Sequence, residues 1–133
     1  MIEQELTKLL ETVKIKHKID LKNKEQENWF NGSETFFKEI KNEIKEAEIE
    51  YNNNKQVHLE DELGDILWDY LNLLINLKTE NKITSIEKIF QRSNIKFSQR
   101  LNAIQNNIPW NEIKQQQKEK LKVEQENLNK INK

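Results

Sequence analysis

Residues 60–77 read EDELGDILWDYLNLLINL and combine an acidic beginning with a long apolar continuation. The acidic part also contains Gly64, one of only two glycines in the chain. The apolar residues fall on more than one side of a helix, which is typical of a central helix or one buried in a subunit interface. The stretch therefore predicts a core helix from about His58 to Leu77, and its carboxylates require an explanation.

Helical periodicity also dominates the rest of the chain. With two glycines and one proline there is little turn material for a β-protein. The pattern predicts a first helix from Ile2 to about Val13, followed by a polar connection over 19–33. A second helix is predicted to begin near Ser33, as its N-cap, and to end at 52–55. A fourth is predicted to begin near Thr84 or Ser85, and a polar helix or tail over 110–133 follows Pro109. We expect one all-α domain, 1–133, with a catalytic helical core over about 29–106. Its fold would be a four- to five-helix bundle, completed by oligomerisation.

The composition excludes several classes of protein. The formal net charge is only -1, whereas a general nucleic-acid binder carries a basic excess, so we expect no nucleic-acid partner. Cysteine is absent, which excludes disulfides and thiolate metal sites. No apolar window approaches membrane-spanning length, and the first ten residues lack a signal-peptide apolar region, so we expect a cytoplasmic protein. His17 and His58 have no partner ligands at useful spacing, and we expect both at the surface or at helix ends.

Two acidic pairs lie on the second and third helices. Glu43 and Glu46 are three residues apart, as are Glu62 and Asp65, so each pair projects from one helix face. Because the connecting loop is short, we expect the two helices to pack antiparallel and the pairs to converge. Asp69, four residues beyond Asp65, would extend the same face.

Converging carboxylates repel one another unless cations lie among them, and oxygen-only ligands suit Mg²⁺ or Mn²⁺. Either pair alone is more simply a solvated face, since a third of the chain is charged. Placement beside the buried stripe favours the metal interpretation for the third helix. Gly64 costs about 1 kcal/mol relative to Ala inside a helix, and we expect a ligand or another helix to approach the backbone there.

Three motifs in order resemble those of the MazG-like nucleoside triphosphate pyrophosphohydrolases. They are EIKE at 43–46, DELGDILW at 61–68 and NIKFSQRLNAIQ at 94–105, within a similarity that covers roughly 29–104. Two positions depart from the family pattern: Asn42 stands where a second acid is frequent, and Leu101 stands where Phe is usual.

The resemblance implies an all-α, metal-dependent enzyme that releases pyrophosphate from a nucleoside triphosphate, as in nucleotide-pool house-cleaning. By motif position, Glu43, Glu46, Glu62 and Asp65 would be the catalytic Mg²⁺ ligands, with Mn²⁺ as a substitute. Asn94, Lys96 and Arg100 would contact phosphate. The last two also form a basic stripe with Arg92 at a spacing of four residues, which could equally be a solvated face. Trp29 could stack on the base or simply pack.

Other functions remain open from the sequence. A dUTPase-like enzyme or a phosphoribosyl-ATP pyrophosphohydrolase would use the same metal site with a different base pocket. A non-catalytic helical interaction protein would leave the acids as a solvated face. If the protein is an enzyme, its substrate is a nucleoside triphosphate. We also expect it to bind further copies of the chain, as a dimer or tetramer, because the third helix has more apolar surface than a small bundle needs.

Overall fold

The computed structural model describes residues 1–26 and 29–132, and this part of the chain contains α-helices and no β-strand. The helices are α1 (Ile2–Lys22), α2 (Ser33–Asn52), α3 (Gln56–Thr79), α4 (Ile86–Gln105) and α5 (Trp110–Ile131). The all-α prediction is confirmed. Residues 27 and 28 of the predicted connection and residue 133 of the predicted C-terminal segment lie outside the described residues. None of the described helices is both long enough and apolar enough to cross a membrane.

The chain forms two compact units, Met1–Ile86 and Glu87–Lys133. The first contains α1, α2 and α3, with α2 and α1 both packed against α3. Its core includes Phe30, Phe36 and Leu73, against which Ile40 and Leu77 pack. The second contains α5 and nearly all of α4, and none of the described residues of α5 is buried. A single domain over 1–133 stays a prediction.

Helix α1 is longer than predicted, because residues 19–22, assigned to a polar connection, are its last turn. The reason is an internal ion pair. Lys16 Nζ donates to both carboxylate oxygens of Asp20, at 2.6 and 2.7 Å, and Asp20 is fully buried. Asp20 therefore lies on the packed side of α1 although it is polar, and a pattern of apolar residues does not predict that a polar residue belongs to the helix there.

His17 is buried, with 6% of its surface exposed, so its predicted place at the surface was wrong. Its Nε2 lies 2.8 Å from Thr79 Oγ1 at the end of α3. Burial lowers the pKa of His17; the nearby Asp20 opposes this shift and Lys16 adds to it. The imidazole is thus a neutral packing group between α1 and α3.

The N-terminus of α2 is capped by a residue that is distant in the sequence. The predicted N-cap, Ser33, is instead the first helical residue, and Gly32 precedes it with a φ of 61°. Glu80 accepts hydrogen bonds from the Ser33 backbone N–H at 2.9 Å and from Ser33 Oγ at 2.7 Å. A carboxylate satisfies a free N–H there and complements the helix dipole. The positive φ favours glycine at position 32, and a Cβ there would lie 2.8 Å from Glu80 Oε2, so the Glu80 side chain would have to shift away from its capping position.

Replacing Glu80 with alanine is expected to lower the free energy of unfolding by about 1–2 kcal/mol, the upper part of the range for loss of an N-terminal cap. Chemical denaturation followed by circular dichroism measures the change. Glu48→Ala, on the exposed side of α2, is the matched control and should leave stability within about 0.5 kcal/mol of the wild type. Equal stabilities of Glu80→Ala and Glu48→Ala would show that the cap contributes nothing.

Candidate metal centre

The packing of α2 on α3 brings together acids from both predicted pairs. Single carboxylate oxygens of Glu43, Glu62 and Asp65 all lie within 4.8 Å of one another. Glu46, on the same face of α2, interacts electrostatically with Glu43, Glu62 and Asp65. Ligand oxygens around Mg²⁺ at 2.0–2.1 Å are separated by no more than about 4.2 Å, so small side-chain adjustments would allow one cation to contact three of these groups.

Two oxygens in this cluster are buried without a hydrogen-bond partner among the described residues, namely Glu43 Oε2 and Glu62 Oε2. When both groups are ionised, neither can donate to the other, and the pair is electrostatically unfavourable. Buried polar atoms normally have a partner. A proton or a cation between the two carboxylates would supply it, so the donor set fits a hard divalent metal ion.

The pKa of Glu43 reflects this crowding. Burial is the largest of the causes that together raise it from 4.5 to about 8; the others are hydrogen bonds with the Glu62 and Glu46 carboxyls and the negative charges of Glu46 and Asp65. Without a cation, the Glu43 carboxyl therefore retains a proton at neutral pH, and a bound cation would displace that proton.

The other two acids of the cluster shift in the same direction. A hydrogen bond with Glu43 lowers the pKa of Glu62, but burial and the neighbouring acids raise it by more, so the net shift is upward. Burial raises the pKa of Asp65, as do the charges of Asp61 and Glu46. Among the causes of the shifts of Glu43, Glu62 and Asp65 there is no positively charged side chain of the described residues.

A second group of acids adjoins the first. Oxygens of Glu39, Glu43 and Asp69 also lie within 4.8 Å of one another. Asp69 is buried, and burial, followed by the charges of Glu39 and Asp65, raises its pKa to about 6. Sequence analysis placed Asp69 on the acidic face but missed Glu39. The sequence does show that Glu39 precedes Glu43 by four residues and therefore shares its helix face. That spacing gains significance only from the structure, in which Asp69 lies opposite.

Gly64 does not have the close neighbour that was expected. A Cβ at this position would meet nothing within 4 Å among the described residues. Within the first unit, therefore, no other helix contacts this position, and the packing of α1 and α2 on α3 does not explain the glycine.

The predicted phosphate-binding residues belong to α4, in the second unit. Asn94 and Lys96 are exposed, whereas Arg100 is only 9% exposed. Arg100 Nε donates to Gln117 Oε1 at 2.8 Å. Its guanidinium carbon lies 5.0 Å from the centre of the Trp110 ring. The side chain is thus held in the contact between α4 and α5, with its charge over an aromatic face.

Arg92, the third member of the predicted basic stripe, is paired. It donates to both carboxylate oxygens of Glu124 on α5, at 2.6 and 3.2 Å. A hydrogen bond with Glu124 raises the pKa of Arg92 and lowers that of Glu124. Arg92 is therefore already engaged by a carboxylate, which sets it apart from Lys96 on the same stripe.

Trp29, the predicted base-stacking residue, has 54% of its surface exposed. Lys16 Nζ lies 4.9 Å from the centre of its ring, and Phe30 meets it edge to face at 5.7 Å. The ring thus packs against α1 while leaving part of its surface open.

A surface cavity of about 440 Å³ lies beside the N-terminus of α2, where Gly32, Ser33 and Glu80 line it together with Lys24 and Lys82. It contains none of the predicted site residues. Since Glu80 already satisfies the helix N-terminus, we attach no chemistry to this cavity.

Comparison with known proteins identifies the family. No curated protein and no solved structure matches the chain significantly. The family model of the MazG nucleotide pyrophosphohydrolase domain matches residues 31–104, which are 74 of the 133 residues. This range contains both acidic pairs and the predicted phosphate-binding residues Asn94, Lys96 and Arg100. The match supports nucleotide pyrophosphohydrolase activity in general. The chain belongs to the MazG nucleotide pyrophosphohydrolase domain family, as its motifs predicted.

Proposed function

We propose that the protein hydrolyses a nucleoside triphosphate to the nucleoside monophosphate and pyrophosphate, with a divalent cation held by Glu43, Glu46, Glu62 and Asp65. The observation that supports this most is the pair of buried carboxylate oxygens, on Glu43 and Glu62, for which the described residues supply no donor when both acids are ionised. Oxygen-only ligands favour Mg²⁺, with Mn²⁺ as a substitute. Membership of the MazG family supports the reaction class.

The acids would act by position and charge. A cation at this site would neutralise the negative charge of the phosphates, which is a large part of what phosphoryl transfer requires from a protein. Glu43 and Glu62 sit on facing helices, so the α2–α3 contact sets the distance between their oxygens before the nucleotide arrives. Such preorganisation avoids a rearrangement during the reaction.

Asn94, Lys96 and Arg100 are proposed to contact phosphate, and Trp29 to stack on the base. The fixed position of Arg100 supports its role, since a guanidinium held by Gln117 and Trp110 loses little freedom when it binds an anion. The half-exposed ring of Trp29 leaves a surface on which a base can lie.

We also propose that the protein is a homo-oligomer, a dimer or a tetramer. Three large side chains of α3 support this, because Leu63, Leu67 and Tyr70 are 51%, 43% and 39% exposed in the single chain. Apolar area that a chain leaves exposed on a central helix commonly marks an interface.

The direct test is a nucleotide panel with a pyrophosphate readout. Purified protein with Mg²⁺ is expected to release pyrophosphate from at least one canonical or modified nucleoside triphosphate, and a chelator should stop the release. The panel includes dUTP, dCTP, GTP and phosphoribosyl-ATP, since the acidic site alone does not choose among bases.

The readout must separate pyrophosphate from orthophosphate, because only pyrophosphate marks cleavage between the α and β phosphates. Folded protein that releases pyrophosphate from no member of the panel would contradict the proposal. Mg²⁺-independent release would contradict the role given to the acids but not the reaction.

A further inference from the structure

Helix α5 lies beyond residues 31–104, the segment that the family model matches, yet one of its side chains is bonded to the predicted phosphate-binding helix. Gln117 is half-buried and makes three hydrogen bonds with α4. Its Oε1 accepts from Arg100 Nε at 2.8 Å, and its Nε2 donates to the Lys96 carbonyl and to Gln99 Oε1, both at 3.0 Å. Both amide hydrogens are thereby used, so the amide is held in one orientation.

The guanidinium of Arg100 is fixed by more than this bond. Its central carbon lies 5.4 Å from the centre of the Phe97 ring and 5.0 Å from that of the Trp110 ring. A guanidinium is planar, so the bond at Nε and the two rings together set the direction of its two terminal nitrogens. Those nitrogens make no hydrogen bond with any described residue. The end of the side chain that can bind an oxyanion through two parallel bonds is therefore left without a partner in the described chain.

The chemistry of the acceptor distinguishes Arg100 from Arg92 on the same stripe. Arg92 donates to both carboxylate oxygens of Glu124, at 2.6 and 3.2 Å, so its positive charge is already matched by a negative one. Gln117 offers Arg100 an uncharged oxygen. An amide orients a guanidinium without neutralising it, whereas a carboxylate does both. Two side chains of α5 thus leave the charge of Arg100, and not that of Arg92, available to an anion.

We propose that Gln117 is a positioning residue for phosphate binding, which holds the Arg100 guanidinium through Nε and leaves its charge to the phosphate. The inference rests on the proposed contact between Arg100 and phosphate, and it adds a residue of α5 to a site that otherwise lies within the family segment or before it. An arginine side chain carries considerable rotamer freedom, which is lost when it binds an anion. Because Gln117 fixes the side chain beforehand, much of that loss is avoided.

Two measurements on the full chain test the role of Gln117. Calorimetry gives Kd for inorganic pyrophosphate in the presence of Mg²⁺, and steady-state kinetics gives KM and kcat for the best nucleotide of the panel. In Gln117→Leu, which keeps the bulk of the side chain but none of its bonds, Kd and KM should both rise about 3–10-fold, the range for immobilising one long side chain. The value of kcat should stay within about twofold of the wild type, because the lost interaction is one of binding.

Two control variants separate positioning from a merely structural role. Gln116→Leu makes the same change at an exposed neighbour on α5 and should behave as the wild type does. Glu124→Gln breaks the ion pair between α4 and α5 without touching Arg100, so it should not weaken binding.

Two further variants test whether Gln117 acts through Arg100. Arg100→Met removes the guanidinium, and adding Gln117→Leu to it should have no further effect on Kd. Gln117→Glu keeps an acceptor for Nε but adds a negative charge, so it should raise Kd at least as much as Gln117→Leu. Circular dichroism verifies that each variant is folded, and Gln117→Glu decides the outcome if Gln117→Leu does not fold.

Gln117→Leu with the Kd and KM of Gln116→Leu would overturn this inference and leave the proposed function intact. So would an equal loss in Glu124→Gln, or a further loss when Gln117→Leu is added to Arg100→Met, since either would show that Gln117 acts by holding α5. A wild type that binds pyrophosphate but hydrolyses no nucleotide would contradict the proposed reaction alone, and Kd would decide the role of Gln117. Turnover without measurable pyrophosphate binding would leave that decision to KM, and absence of both would overturn both proposals.

Discussion

Glu62→Gln is expected to slow pyrophosphate release by at least about 100-fold while leaving the helical content unchanged. Loss of a group that merely supports a metal ligand typically lowers affinity or activity by 10–100-fold, so loss of a ligand should reach at least the upper limit. The side chain keeps its size and its hydrogen-bonding capacity but loses the charge that a cation requires. Steady-state rates with the best nucleotide of the panel, at saturating Mg²⁺, measure the effect.

Glu48→Gln is the matched control, because it makes the same chemical change at an exposed position of the adjacent helix. Its rate should equal that of the wild type. A Glu62→Gln rate within a few-fold of the wild type would show that the reaction does not depend on this acid, and would remove Glu62 from the proposed site. Far-ultraviolet circular dichroism separates this result from a loss of folding.

Metal-free protein is expected to lose stability as the pH rises from about 6.5 to about 8. The cause is Glu43, whose pKa is raised from 4.5 to about 8 in the folded chain. Between these values the folded state holds a proton that the unfolded state has released, so the free energy of unfolding falls with increasing pH. Above about pH 8 both states are ionised, and the stabilisation from that proton is gone. The raised pKa of Glu62 acts in the same direction.

Thermal unfolding in the presence of a chelator measures this slope. The range above pH 6.5 avoids the opposing effect of His17, whose lowered pKa destabilises the folded state only at lower pH. Adding Mg²⁺ at about pH 8 should raise the melting temperature, since the cation takes the place of the missing proton. A change of 1 kcal/mol shifts the melting temperature by roughly 4–8 °C in a domain of 60–100 residues.

Glu43→Gln provides the control for the slope. The variant is neutral at every pH, so its stability should be nearly flat over the same range and should respond less to Mg²⁺. A wild type whose stability rises with pH, or a Glu43→Gln protein with the slope of the wild type, would show that Glu43 is not the titrating group.

The helices themselves follow from local patterns, and this is why they could be predicted. Apolar residues at helical spacing, a single proline at position 109 and few glycines are sufficient for an all-α assignment. Motif order and spacing also predicted the family, which the match to the family model confirms. The ends of α1 and α2 were less well predicted, because a buried ion pair extends α1 and a carboxylate from Glu80 caps α2.

Contacts between distant segments account for the errors at His17 and Ser33. His17 meets Thr79, which is 62 residues away, and Ser33 meets Glu80, which is 47 residues away. No periodicity within a helix records such pairs, since the side chain that buries a polar group lies on another helix. Arg92 illustrates the same point, because its partner Glu124 comes from a helix whose own sequence indicated only a polar surface.

By itself, the sequence determined that the chain is helical, which family it belongs to, and which acids share a face of each helix. These properties depend on spacings of three and four residues along a single helix. Only the tertiary structure decided that Glu43 meets Glu62 and Asp65 on one side and Glu39 and Asp69 on the other. The register of α2 against α3 determines which of these carboxylates lie close together. Burial at that contact raises their pKa, so that they require a proton or a cation.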